Sequence, residues 1–162
     1  MDEWGPRGKN LKMKWRGPIQ VGKLPTDQAL LPPESPGVYV ISERSWTDTP
    51  GPDARVRYVG KASNLRFRLG QAVAVLLGFG PSGSLRYFHG RSRRLFGDAA
   101  PQGYGSSIAK SRKLFIGWHT LGSGECIDCE EAKLFQKFHS AGLLSFAKRP
   151  KCSRPGHPRP AK

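Results

Sequence analysis

Residues Arg57 to Leu69 read RYVGKASNLRFRL. Val56 and Tyr58 end an alternating strand pattern that runs into Gly60, a residue without side-chain bulk. Ser63-Asn64 then supplies cap chemistry, and a helical pattern starts at Leu65, with Leu65, Leu69, Ala72, Val73 and Leu76 on one face. The spacing predicts a strand, a turn and a helix that packs on a sheet. Tyr58, Lys61 and Arg68 fall inside this short unit and no acid does. Its polar chemistry therefore faces an anion, and a phosphate is the economical choice.

Upstream, Val38 to Ile41 follows Ser35-Pro36-Gly37 as a first strand. The Ser-, Thr-, Asp-, Pro- and Gly-rich stretch 42–55 is a loop, so this strand and Val56 to Val59 pair as a wide antiparallel hairpin. Downstream, KLFIGWHT (113–120) is a third strand with Leu114, Ile116 and Trp118 on one face. Glu125 to about Ser140 reads as a second packed helix, in which Glu131, Phe135 and Phe138 share a face. Glu131 is preferred to Glu130 as the inward acid, because Lys137 lies seven residues beyond Glu130.

The remaining segments are less periodic. Met1 to about Gly22 is a basic arm in which Trp4 and Trp15 either stack on bases or fasten the arm to the domain, and the fastening use is preferred. Leu24 to Leu31 is a short helix capped by Thr26 and stopped by Pro32-Pro33. From Ser84 to Lys113, basic clusters alternate with Gly and Ser around His89, Arg91 and Tyr104. The expected fold is an α/β domain of the α+β type, a three-stranded, mainly antiparallel sheet flanked by helices. It divides into an arm and short helix at 1–33, the folded domain at 34–147, and a basic, proline-rich tail at 148–162.

Lys and Arg number 27 against 12 Asp and Glu, a formal charge of +15. Such an excess favours a polyanionic partner through counterion release, and nucleic acid is expected, DNA before RNA. No apolar run approaches the roughly 20 residues of a membrane-spanning helix, and the acidic start MDEWGPRGKN does not resemble a secretory signal. An odd count of three cysteines fits a reducing compartment. A cytoplasmic protein without a membrane partner is expected.

A tyrosine on each of two adjacent strands, an arginine one turn into the first helix and a glutamate near the head of the second are the parts that phosphodiester hydrolysis needs: a proton acceptor, a cation and an anchor for a metal ion. A lone carboxylate suits one divalent cation better than two. Gly37-Val38-Tyr39 followed by Tyr58-Val59-Gly60 resembles the paired signature of the GIY-YIG nuclease superfamily, and YVGKASNLRFRL is most similar to the UvrC endonuclease domain. The resemblance covers about Pro36 to Lys148.

That resemblance implies a metal-dependent DNA endonuclease. Tyr58 matches the tyrosine that acts as general base towards the attacking water, and Tyr39 matches the one that helps to order it. Arg68 matches the arginine on the scissile phosphate, and Glu131 the glutamate that holds a single Mg²⁺ or Mn²⁺. Lys61 would lie near the site, with Arg66, His89, Arg91, Lys148 and Arg149 as further candidates for phosphate contact. Two positions depart from the family pattern. Ala72 stands where restriction-type members often have histidine, and Lys148 stands where an asparagine supports the site by hydrogen bonds that a lysine cannot accept. A catalytically weakened or inactive nucleic-acid-binding module of the same fold is therefore the alternative, and a basic RNA-associated protein of another fold the third.

Cys126 and Cys129, with Cys152 and His157 from the tail, give C-x₂-C and C-x₄-H. This is a separate candidate for tetrahedral zinc, against plain reduced thiols.

Overall fold

A four-stranded sheet is built from β1 (Trp15–Gln20), β2 (Gly37–Ser42), β3 (Val56–Ala62) and β4 (Phe115–Thr120), all antiparallel, in the order β1-β4-β2-β3. Among the described residues, helices α1 (Leu65–Leu76) and α2 (Ile127–Ser140) accompany the sheet. This computed structural model describes residues 14–25, 27–77, 112–142 and 151–157. The arm before Lys14, the segment 78–111 and the tail residues 143–150 and 158–162 lie outside it, and with them Trp4, His89, Arg91, Lys148 and Arg149.

Strand alternation sorts the core into two layers. Tyr39, Ile41, Tyr58, Ile116 and Trp118 pack with Leu65, Leu69 and Leu76 of α1 on one face. Val38, Val40, Val56 and Val59 pack with Leu134, Phe135 and Phe138 of α2 on the other. Because β2 is covered from both sides, all six of its residues are buried. The five apolar positions expected on the inner face of α1 are there: Leu65, Leu69, Ala72 and Leu76 are buried, and Val73 packs against the same cluster.

The first helix is started by side-chain and backbone acceptors together. The Phe67 amide donates to Asn64 Oδ1 at 3.0 Å, as the cap pair predicted. The next exposed donors go to the chain before β2, the Leu65 amide to the Ser35 carbonyl at 2.9 Å and the Arg66 amide to the Pro33 carbonyl at 3.1 Å. Free helix-terminal amides are satisfied in this way, and the turn at Pro32–Ser35 is tied to the helix start.

Two expectations are corrected. The sheet has four strands rather than three, because the stretch 15–20 within the arm pairs with β4. Its period is concealed by a bulge between Arg16 and Ile19, where Gly17 adopts φ +88° and Pro18 has no amide to donate. Trp15 serves the fastening use, packing edge-on to Trp46 at 5.9 Å and against the α2-side core. The helix expected over 24–31 is only a 3₁₀ turn at Gln28–Leu30. Prolines at 25, 32 and 33 leave too few residues for α-helical hydrogen bonds, and Asp27 Oδ1 accepts from the Ala29 amide at 2.9 Å. Thr26 lies outside the described residues.

Among the described residues no helix is long and apolar enough to cross a membrane. Phe138 is fully buried between α2 and the sheet. Phe138→Ala is expected to cost about 3–5 kcal/mol of stability, read as a lowered urea midpoint without a changed slope.

Candidate functional site

The register of β2 on β3 sets Tyr39 opposite Gly60 and Ile41 opposite Tyr58. The two tyrosine rings lie on the same face of the sheet with centroids 5.8 Å apart and planes inclined by 34°. Gly60 makes room for them. A Cβ at that position would stand 2.5 Å from Tyr39 Cζ, 2.7 Å from its hydroxyl and 2.7 Å from Tyr58 Cε1. The ring of Tyr39 thus occupies the volume that any other residue at 60 would claim. Tyr39 is wholly buried, whereas Tyr58 keeps 5% of its surface exposed.

One residue beyond Gly60 the side chain turns to the opposite face, where α2 lies. Lys61 Nζ is 2.5 Å from Asp128 Oδ1 and 3.2 Å from Glu131 Oε2, so one ammonium joins two carboxylates of the first turns of α2 to the edge strand. Burial works against the charged ammonium, but the Asp128 hydrogen bond and the Glu131 charge together raise the Lys61 pKa above its ordinary value. The Lys61 hydrogen bond holds the Asp128 carboxyl below the usual range, against some burial and with help from the Lys61 and Arg154 charges. Arg154 Nε approaches Asp128 Oδ2 at 3.9 Å.

Arg68 sits one turn into α1, half-buried, while Arg66 is exposed and donates from Nε to the Pro32 carbonyl at 2.8 Å. Arg66 is thereby engaged in holding the turn before β2. The tyrosine pair and the Lys61–Glu131 pair occupy neighbouring positions of β3 on opposite faces of the sheet, and α1, which carries Arg68, leaves that same strand after two residues. Glu131 offers a hard carboxylate donor that is 14% exposed. Such a single anchor suits Mg²⁺ or Mn²⁺, which keep several waters, and the adjacent Lys61 ammonium is a competing cation.

A second cluster lies at the head of α2. Cys126, Cys129, Cys152 and His157 bring one ligand atom each to within 4.8 Å of one another, and these four residues could hold a metal ion. The Sγ atoms of Cys126 and Cys152 are 3.7 Å apart, and His157 Nδ1 is 3.2 Å from Cys129 Sγ and 3.5 Å from Cys152 Sγ. A backbone hydrogen bond from Cys129 heads the causes that lower the Cys126 thiol to about 6, while burial pushes Cys129 up to about 12.

Asp128 and Arg154 belong to this arrangement and were not singled out in the sequence. Asp128 reads there as an ordinary first-turn acid, and its partner Lys61 is 67 residues away.

Gly60→Ala is expected to lower stability by about 1–3 kcal/mol, because the tyrosine rings must move. Combined with Tyr39→Val the additional cost should largely vanish, a coupling that a double-mutant cycle in urea measures. Comparison with protein-family models, with curated proteins and with solved structures finds no match to this chain.

Proposed function

We propose that this domain is a metal-dependent endonuclease that hydrolyses DNA phosphodiester bonds, with Tyr58, Tyr39, Arg68 and Glu131 as its working residues. The observation that carries the reading is the tyrosine pair seated on Gly60, on the strand that leads within two residues into the helix carrying Arg68. The resemblance to GIY-YIG nucleases assigns roles to those same residues. The formal charge of +15 supports a nucleic-acid partner.

In this reading water adds across a P–O bond. Its oxygen bonds to phosphorus, the bridging ester oxygen leaves and takes up a proton, and the products are a phosphate monoester end and an alcohol end. Tyr58 holds the attacking water and receives its proton. Tyr39, buried against Gly60, is a positioning residue that fixes the neighbouring phenol. Arg68 neutralises charge that grows on the phosphoryl oxygens. Glu131 would hold one Mg²⁺ or Mn²⁺, which when bound supplies Lewis-acid neutralisation at a phosphoryl oxygen.

A second reading, a module that binds DNA without cutting it, is favoured by the 3.2 Å contact between the Lys61 ammonium and Glu131, where a cation would otherwise sit, and by lysine at position 148. Branched, nicked and linear DNA incubated with the protein and Mg²⁺ or Mn²⁺ separates the two. The endonuclease should cut at least one of them, and Glu131→Ala and Arg68→Ala should each slow cleavage by about 100-fold or more. Cleavage that survives either substitution removes the assigned site. Binding without cleavage supports the second reading, and Lys148→Asn should then restore cutting if that lysine is the cause.

A further inference from the structure

We infer that Cys126, Cys129, Cys152 and His157 form a structural zinc site that clamps residues 151–157 onto the head of α2. With Zn–S near 2.3 Å and Zn–N near 2.0–2.1 Å, a tetrahedron has S···S edges of about 3.8 Å and S···N edges of about 3.5 Å. The separations of 3.7 Å between sulfurs and of 3.2 and 3.5 Å between sulfur and imidazole nitrogen lie within a few tenths of those edges. The sulfurs of Cys126 and Cys152 stand far outside the roughly 2.05 Å of a disulfide. Three thiols and one imidazole make a soft, borderline donor set that selects zinc over the hard cation suited to Glu131.

The chain geometry serves this convergence. Cys126 is the residue before α2 and Cys129 lies in its first turn, so the helix start presents both sulfurs together. On the other side, Gly156 at φ +79° closes a turn in which the His157 amide donates to the Arg154 carbonyl at 3.3 Å, bringing His157 back beside Cys152. The one hydrocarbon side chain of the segment KCSRPGH, Pro155, is exposed, yet Cys152 is only 6% exposed. Hydrophobic burial does not account for its docking; four metal bonds do. All four positions are filled by protein, which makes the site structural rather than catalytic.

The clamp also keeps Arg154 facing Asp128, which shares Lys61 with Glu131. Only this consequence, a cation ordered near a phosphate-binding site, rests on the endonuclease reading; the metal site itself does not.

The test uses the full chain, expressed without a metal-binding tag, and elemental analysis by mass spectrometry. One zinc per chain is expected, and cobalt substituted for it should give the intense visible bands of a tetrahedral thiolate complex. Cys152→Ser and His157→Ala should weaken zinc binding by at least about 100-fold. Removal of zinc by a chelator should open the chain to trypsin after Lys151. Native protein that carries no metal, that carries iron, or that shows a Cys126–Cys152 disulfide by intact mass overturns the assignment, as does native zinc affinity in Cys152→Ser. Because native stoichiometry and the cobalt spectrum need no variant, a substitution that fails to fold leaves the test intact. DNA cleavage is read separately, so a zinc-bearing protein that does not cut DNA refutes the endonuclease reading alone.

Discussion

The antiparallel register of β2 on β3 holds the rest in place. It sets Tyr39 across from Gly60, and the ring then fills the space above a residue that has no Cβ. A slip of one residue would send every side chain of β3 to the other face, moving Tyr58 from the α1 layer to the α2 layer and Lys61 away from its carboxylates. The register changes once, between Ile41 and Ser42, where Arg57 is the extra residue on β3. This irregularity lets Val56 and Val59 share the α2-side core although they are three residues apart.

The head of α2 concentrates unlike chemistries in little more than one turn. Cys126 and Cys129 face the sulfur cluster, whereas Asp128 and Glu131 reach Lys61 on the edge strand. Carboxylates there are favoured by the unsatisfied amides of the helix start. The two sets differ in hardness, so the thiols and imidazole suit a soft ion and the carboxylate at 131 a hard one. Through Asp128 the sets are mechanically connected, since the same carboxylate meets both Lys61 and Arg154.

Lys61 has a double character. Its ammonium neutralises two carboxylates that would otherwise repel each other at the rim of the sheet, and this satisfies the local electrostatics. The same contact occupies Glu131, so the divalent cation of the proposed nuclease would compete with the lysine for that carboxylate. The proposed catalytic role and the proposed binding-only role thus differ in which cation Glu131 holds when DNA is present.

The sequence by itself determined the strands around Tyr39, Tyr58 and Trp118, the inner face of α1 and the cap at Asn64, because alternation, helical spacing and capping act over a few residues. It also made the two tyrosines, Gly60 and the Cys126–Cys129 spacing visible as chemistry. It concealed β1, where Gly17-Pro18 breaks the period, and it misjudged 24–31, where local apolar content outweighed the prolines in the reading. Only the tertiary structure decided that Lys61 meets Asp128 across 67 residues and that Cys129 meets His157 across 28. Such contacts depend on how layers stack and loops close, and side-chain periodicity carries no record of either.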